Sequence, residues 1–246
     1  MDSGYYAACT ALVARTQALD TIANNLANAS TVGYRAQKNV FSSVLADANR
    51  GGQGSSLDKA INTYGILSGT TFDTTEGALQ KTGNDLDTAI QGNGYFVVQT
   101  SNGPMYTRDG SFQVSSNGQL ITATGDAVMG DGGVITMVPG KVSISADGTI
   151  STNGAVTGKL KIVDFPANTQ LTSVGNTYYS APANTAVTDT KSEVRQGMLE
   201  SSNVNPMMGI VQLVTAQRTA EMMQRALSMF NSEIDKTATQ DLPKVS

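Results

Sequence analysis

The sequence predicts an α+β protein. Long N- and C-terminal helices pack together in a coiled-coil-like pair, with a central antiparallel β-rich domain of short strands and hairpins between them. Three observations predict this. The six prolines stand at 104, 139, 166, 182, 206 and 243, so both ends of the chain have long stretches free of helix breakers. Apolar residues recur at heptad spacing in both of those stretches. The middle is punctuated by Asn-Gly and Asp-Gly pairs, the strongest short hairpin signals.

The first helix is predicted over residues 3–29, where Gly4 is the one glycine. Tyr5, Leu12, Leu19 and Leu26 recur every seven residues, with Ala8, Ile22 and Ala29 at the companion positions and Arg15 as the exception. Asn24, Asn25 and Asn28 near its end are poor helix formers. They fit a fraying, solvated terminus, or an amide stripe that continues Gln17 and Thr21 and hydrogen-bonds neighbouring chains.

Residues 36–76 read as a connecting arm. Arg50 to Ser56 is a Gly/Ser/Gln tract with the composition of a flexible loop, and Gln37 to Ala48 fits either a short helix or an extended arm. The β-rich domain is predicted over residues 77–197. Its strands are Ala89-Ile90, Tyr95 to Val98, Ser111 to Val114, Val142 to Ile144 and Lys159 to Val163. Turns are predicted at Asp109-Gly110, Asn117-Gly118, Asp131-Gly132, Asp147-Gly148 and Asn153-Gly154. The last segment, 198–246, carries the second helix over about 206–237. Asn205-Pro206 is a cap and first-turn pair, and Pro243 stops the helix. Leu213, Ala220, Leu227 and Ile234 form its seam with Ala216, Met223 and Phe230 between them, and Glu221 and Arg225 are a favourably ordered i,i+4 pair.

Composition excludes several functions. The net charge is −4, and no run of Lys or Arg offers a footprint for nucleic acid. With Cys9 the one cysteine and no histidine, an internal disulfide, a Cys/His metal site and histidine-dependent nucleophilic catalysis are all excluded. Cys9 reads as a small packed side chain. Residues 4–14 are fairly apolar, but Asp2 precedes them and Arg15 follows them, which is not a secretory signal. No stretch approaches the roughly 20 apolar residues of a membrane span. Asp85, Asp87, Arg108 and Asp109 are the tempting acid/base set, and their positions favour solvated turns over catalysis. No cofactor is implied, and no catalytic or metal site is assigned.

Three blocks carry a family resemblance. Residues 21–35 read TIANNLANASTVGYR. Residues 77–130 include AIQGNGYFVV and YTRDGSF. Residues 196–225 read QGMLESSNVNPMMGIVQLVTAQRTAEMMQR. In this order they resemble the signatures of bacterial flagellar rod and hook proteins. The short stretch between the first signature and the β domain, and the end FNSEIDKTATQDLPKV, resemble a proximal-rod member more than a distal one. The chain departs from the family where Val32 precedes Gly33, and where Met207 and Met208 stand in place of an acidic pair.

The resemblance implies a structural subunit in the periplasmic rod of the flagellar basal body. It implies export through the flagellar type III apparatus without a cleaved signal, and assembly with copies of itself and with other rod and hook proteins. From the residues alone the seams fit an internal helix pair or an intermolecular bundle. The resemblance favours the second, and with it the amide stripe. The expected assembly residues are Tyr5, Leu12, Leu19, Ile22, Asn24, Asn25, Leu26, Asn28, Leu213, Ala216, Ala220, Met223, Leu227, Phe230 and Ile234. The helices are expected to be largely unfolded in the free monomer and to form on assembly, because most helix stability comes from packing. A β-rich carbohydrate-active enzyme and a surface adhesin are the alternatives from other classes.

Overall fold

The structure is a computed structural model. It describes residues 2–45, 63–166, 169–175, 177–182, 185, 188–189 and 192–240. Two terminal helices flank a central region of antiparallel strands, as the sequence predicts. The first helix, α1, is Asp2–Ala27, and the last, α2, is Pro206–Gln240. Asn205 caps α2 by accepting a hydrogen bond from Met208 N at 3.1 Å, and Pro206 occupies the first turn, where its missing N–H is harmless.

Of the two readings of Gln37 to Ala48, the structure takes the extended one over residues 37–45. Strands β1 (Gln37–Leu45) and β2 (Thr63–Phe72) pair as a two-stranded sheet. The Arg50 to Ser56 tract lies outside the described residues.

The chain divides into two compact units. One comprises residues 1–26, 37–71 and 205–246; the other comprises 27–36 and 72–204. The signature loop after α1 and the stretch before α2 therefore belong to the β unit. The unit runs from residue 27 to residue 204 and includes Arg35 and Glu200.

The β unit is built around strand Tyr95–Thr100. It pairs with Gly103–Thr107 on one side and with Ala127–Gly130 on the other, and Ile162–Asp164 pairs with its start. Phe96, Val98, Phe112, Leu120, Val128, Ile150 and Leu160 fill the core beneath it. Phe96 and Phe112 meet edge-on at 5.1 Å. Two strands from far along the chain complete the unit. Glu193–Gln196 pairs with Thr88–Gln91, and Met198–Glu200 pairs with Leu79–Lys81.

Some expected strands and turns are redrawn. Asp109-Gly110 is not a hairpin turn. Gly110 packs so closely on Thr88 that a Cβ there would lie 1.6 Å from the Thr88 carbonyl oxygen, so glycine serves a backbone contact. Only Gln113–Val114 of the Ser111 to Val114 stretch is a strand. Lys159 to Val163 is split between Ala155–Lys159 and Ile162–Asp164. Asn153-Gly154 does make a tight turn, joining Thr149–Thr152 to Ala155–Lys159.

Candidate functional site

In the β unit, three charged side chains from distant parts of the chain meet out of water. Arg35 Nη2 lies 2.7 Å from Glu200 Oε1, and Arg108 Nη1 lies 3.2 Å from Glu200 Oε2. Relative exposures are 1% for Arg35, 1% for Glu200 and 3% for Arg108. Glu200 Oε1 also accepts a hydrogen bond from Gly77 N at 2.8 Å. Arg108 donates to Ile90 O at 3.3 Å and to Gly92 O at 2.7 Å, and its guanidinium lies 5.4 Å from the centre of the Tyr95 ring. Burial pulls Arg108 below its ordinary pKa; Glu200 opposes this shift and Arg35 adds to it.

Local backbone geometry brings these groups together. Thr31 N donates to Asn28 O just after α1, turning the chain into the signature loop. Gly33 sits at φ +69° against the Arg108-Asp109 backbone, where a Cβ would lie 2.4 Å from Asp109 N. Gly33 N donates to Glu200 O at 2.8 Å, and Arg35 N to the Tyr179 hydroxyl at 3.2 Å. Beside them Tyr34 is 2% exposed, and burial pushes its phenol up to about 12. Asn203 completes the joint. Its Oδ1 accepts from Ala36 N at 2.7 Å, and its Nδ2 donates to Asp73 O and Thr75 O, each at 3.0 Å. Residues 200–203 thus hold the stretches around 33–36 and 73–77, the places where the chain leaves the β unit and returns to it.

The expected assembly residues occupy the other unit, apart from Asn28. On α1, Leu12, Leu19, Ile22 and Leu26 are half-buried, as are Leu213, Ala216, Met223 and Leu227 on α2, and Ala220 is buried at 7%. The two helices meet where Leu26 Cδ1 comes within 3.6 Å of the Cβ position of Gly209. The side chains of Tyr5, Phe230 and Ile234 lie outside the described residues. The amides mostly point into their own chain. Asn25 exchanges two 2.8 Å hydrogen bonds with the Gln37 backbone, and Thr21 donates to Asn39 Oδ1 at 2.9 Å. Asn28 is 6% exposed and accepts from Thr31 Oγ1, while Asn24 is exposed.

A second face of α2 did not register in the heptad count. Met207, Ile210, Val211, Val214, Met222 and Met229 are 42–75% exposed. At 100° per residue they cluster on the side opposite Leu213, Ala216, Ala220, Met223 and Leu227. Over its first turns the helix is therefore apolar on two sides, one half-buried and one exposed; further along, Arg218, Glu221 and Arg225 share the outward side with Met222 and Met229.

The acid/base set takes structural roles. Asp87 is 8% exposed, not solvated, and accepts from Asn84 Nδ2 at 2.9 Å. Asp109 is half-buried and accepts from Ser111 N and Oγ at 3.0 and 2.6 Å. Burial raises its pKa, and these bonds partly offset the rise. Among the described residues no group of three or more His, Cys, Asp or Glu could hold a metal ion, and no helix is long and apolar enough to cross a membrane.

Comparison with known proteins follows the same three-part division. Residues 6–35 match the family described as flagella basal body rod protein. Residues 89–156 match the flagellar hook protein FlgE/F/G D1 domain, and residues 195–240 match the flagellar basal body rod FlgEFG protein C-terminal family. Each matched stretch supplies one member of the buried cluster: Arg35, Arg108 and Glu200 in turn. The chain is 33% identical over 252 residues to the flagellar basal-body rod protein FlgF of Caulobacter vibrioides, covering 100% of both chains. It is 36% identical over 245 residues to FlgF of Mesorhizobium japonicum, covering 95% of this chain and 97% of the other. It is also 32% identical over 249 residues to the flagellar basal-body rod protein FlgG of Buchnera aphidicola, covering 92% and 95%.

Proposed function

This chain belongs to the flagellar basal-body rod protein family, and from that premise we propose that it is a FlgF-type subunit of the proximal rod, which enters the rod through its terminal helices. It is a structural protein of the basal body and not an enzyme. The observation that carries the mode of assembly is the exposed apolar patch on the first turns of α2, formed by Met207, Ile210, Val211 and Val214 on the side opposite the seam. An exposed apolar patch of this kind marks an interaction surface. Fully burying a large apolar side chain stabilises by about 1.5–3 kcal/mol, so covering the exposed part of these four residues supplies roughly 3–7 kcal/mol gross, before ordering costs. The half-buried seams of α1 and α2 serve as the coiled-coil-like pairing between the helices, and the outward face of α2 meets neighbouring subunits.

In this account the subunit assembles with copies of itself and with related rod and hook proteins. It leaves the cytoplasm through the flagellar type III apparatus without a cleaved leader, and in the periplasm it passes torque from motor to hook. Helices that gain most of their stability on assembly suit passage through a narrow channel. The FlgG relatives support a second reading, a distal-rod subunit, at nearly the same identity. Isolation of intact basal bodies tests the proposal. The chain is expected in them, and deleting its gene is expected to abolish the rod beyond the proximal part. Basal bodies complete to the hook without this chain would refute the proximal-rod role; a rod that stops only at its distal part would favour the second reading.

A further inference from the structure

When the signature loop is docked, a second arginine sits on a carboxylate that already has one. Glu200 carries a single negative charge, and Arg35 and Arg108 both contact it, so the cluster holds a net positive charge among side chains 1–3% exposed. Nε and Nη1 of Arg35 and Nε of Arg108 are buried with no hydrogen-bond partner among the described residues. Buried donors without partners oppose the docked state.

The two arginines are not equivalent. Arg108 has the carboxylate, two backbone carbonyls and the Tyr95 ring around it. Without Arg35, a one-to-one ion pair remains, and the departing guanidinium regains water. The surplus charge therefore lies on the loop. The loop is held by packing of Tyr34 and by backbone hydrogen bonds shared with Glu200, Tyr179, Asn203 and Asp73, and residues 28–36 form no strand. Proteins open locally in contiguous units, and a segment outside the strand ladders can open while the sheet stays closed.

We infer that residues 28–36 are a releasable strap, opened and closed as a unit on an intact β sheet, with the surplus charge of Arg35 setting how readily it opens. The strap is the covalent link from α1 into the β unit, so its release loosens that link without unfolding the sheet.

Hydrogen exchange read by mass spectrometry on the full chain tests this, in the wild type and in Arg35→Met. Methionine keeps an unbranched apolar stem and removes the surplus charge, while Glu200 keeps its ion pair with Arg108 and its hydrogen bond from Gly77 N. In the wild type the amides of residues 31–36 are expected to exchange at least about tenfold faster than those of Tyr95–Thr100. Arg35→Met is expected to slow the strap amides and leave the strand amides unchanged. Exchange of strap and strand at one rate would overturn the inference. So would a strap whose exchange in Arg35→Met is unchanged or faster.

Discussion

Replacing Glu200 with glutamine isolates the charge of the buried cluster. The substitution keeps the side-chain volume and one acceptor oxygen, so Gly77 N or Arg35 retains a partner. What disappears is the counter-charge for two guanidinium groups at 1% and 3% exposure. Removing one partner of a buried ion pair costs about 3–5 kcal/mol, because it leaves a desolvated charge uncompensated. Against a total stability of about 5–15 kcal/mol this is a large fraction. At this size a change of 1 kcal/mol moves Tm by about 2–4 °C, so a fall of roughly 6–20 °C is expected. The pair Arg195–Glu193 is the internal control. Its 2.7 Å separation equals that of Arg35–Glu200, but its side chains are 46% and 57% exposed. An exposed pair contributes about 0–1 kcal/mol, so Glu193→Gln is expected to shift Tm by no more than a few degrees. Thermal unfolding of both variants, followed by circular dichroism, gives the comparison. Equal small shifts would refute the claim that burial of this cluster is what matters.

Three further outcomes follow from the same geometry. Gly33→Ala puts a Cβ 2.4 Å from Asp109 N at φ +69°, so urea unfolding is expected to show a loss of about 2 kcal/mol or more. Burial raises the Asp109 pKa in the folded state, so its contribution to stability is full below the ordinary carboxylate value of 3.8 and is lost as pH rises through the raised folded value. Asp109→Asn keeps an acceptor for Ser111, so urea midpoints measured from pH 3 to 7 are expected to show a relative gain for the variant at pH 7; a gain confined to pH 3 would contradict the sign. A fragment of residues 27–204 keeps Arg35, Arg108 and Glu200 and is expected to fold, whereas 36–199 leaves Arg108 buried alone and is expected to lose the dispersed amide spectrum of a folded domain.

The helices were legible because two simple properties coincide there: breakers are absent and apolar residues recur at helical spacing. α2 nevertheless held more than its seam. The heptad through Leu213, Ala220 and Leu227 accounts for one face, and counting at period seven passed over Met207, Val211, Val214, Met222 and Met229 on the other. Strand Tyr95–Thr100 was legible from its apolar run and flanking glycines. The pairing of Glu193–Gln196 with Thr88–Gln91 was not, since nothing local encodes a partner a hundred residues away. Asp109-Gly110 was misread because glycine answers to backbone crowding as well as to turn geometry.

The buried cluster was the least legible feature. Arg108 stood out only as a possible catalytic group, and Arg35 and Glu200 not at all. Their shared signal lay in the text of the three blocks: each charge directly follows a residue that packs, in Tyr34-Arg35, Thr107-Arg108 and Leu199-Glu200. A charge set among buried neighbours needs a partner. The sequence does not say which one, because pairing here depends on a sheet that brings the last strands back to the first.

Assembly through the terminal helices is tested most directly by placing a charge in each seam and isolating basal bodies. Leu19→Asp and Met223→Asp each put a carboxylate at a half-buried position on α1 or α2, outside the β unit. The account predicts that both variants are produced and exported, keep a folded β unit, are absent from purified rods and leave cells non-motile. Either variant present in rods at the wild-type level, in motile cells, would contradict it.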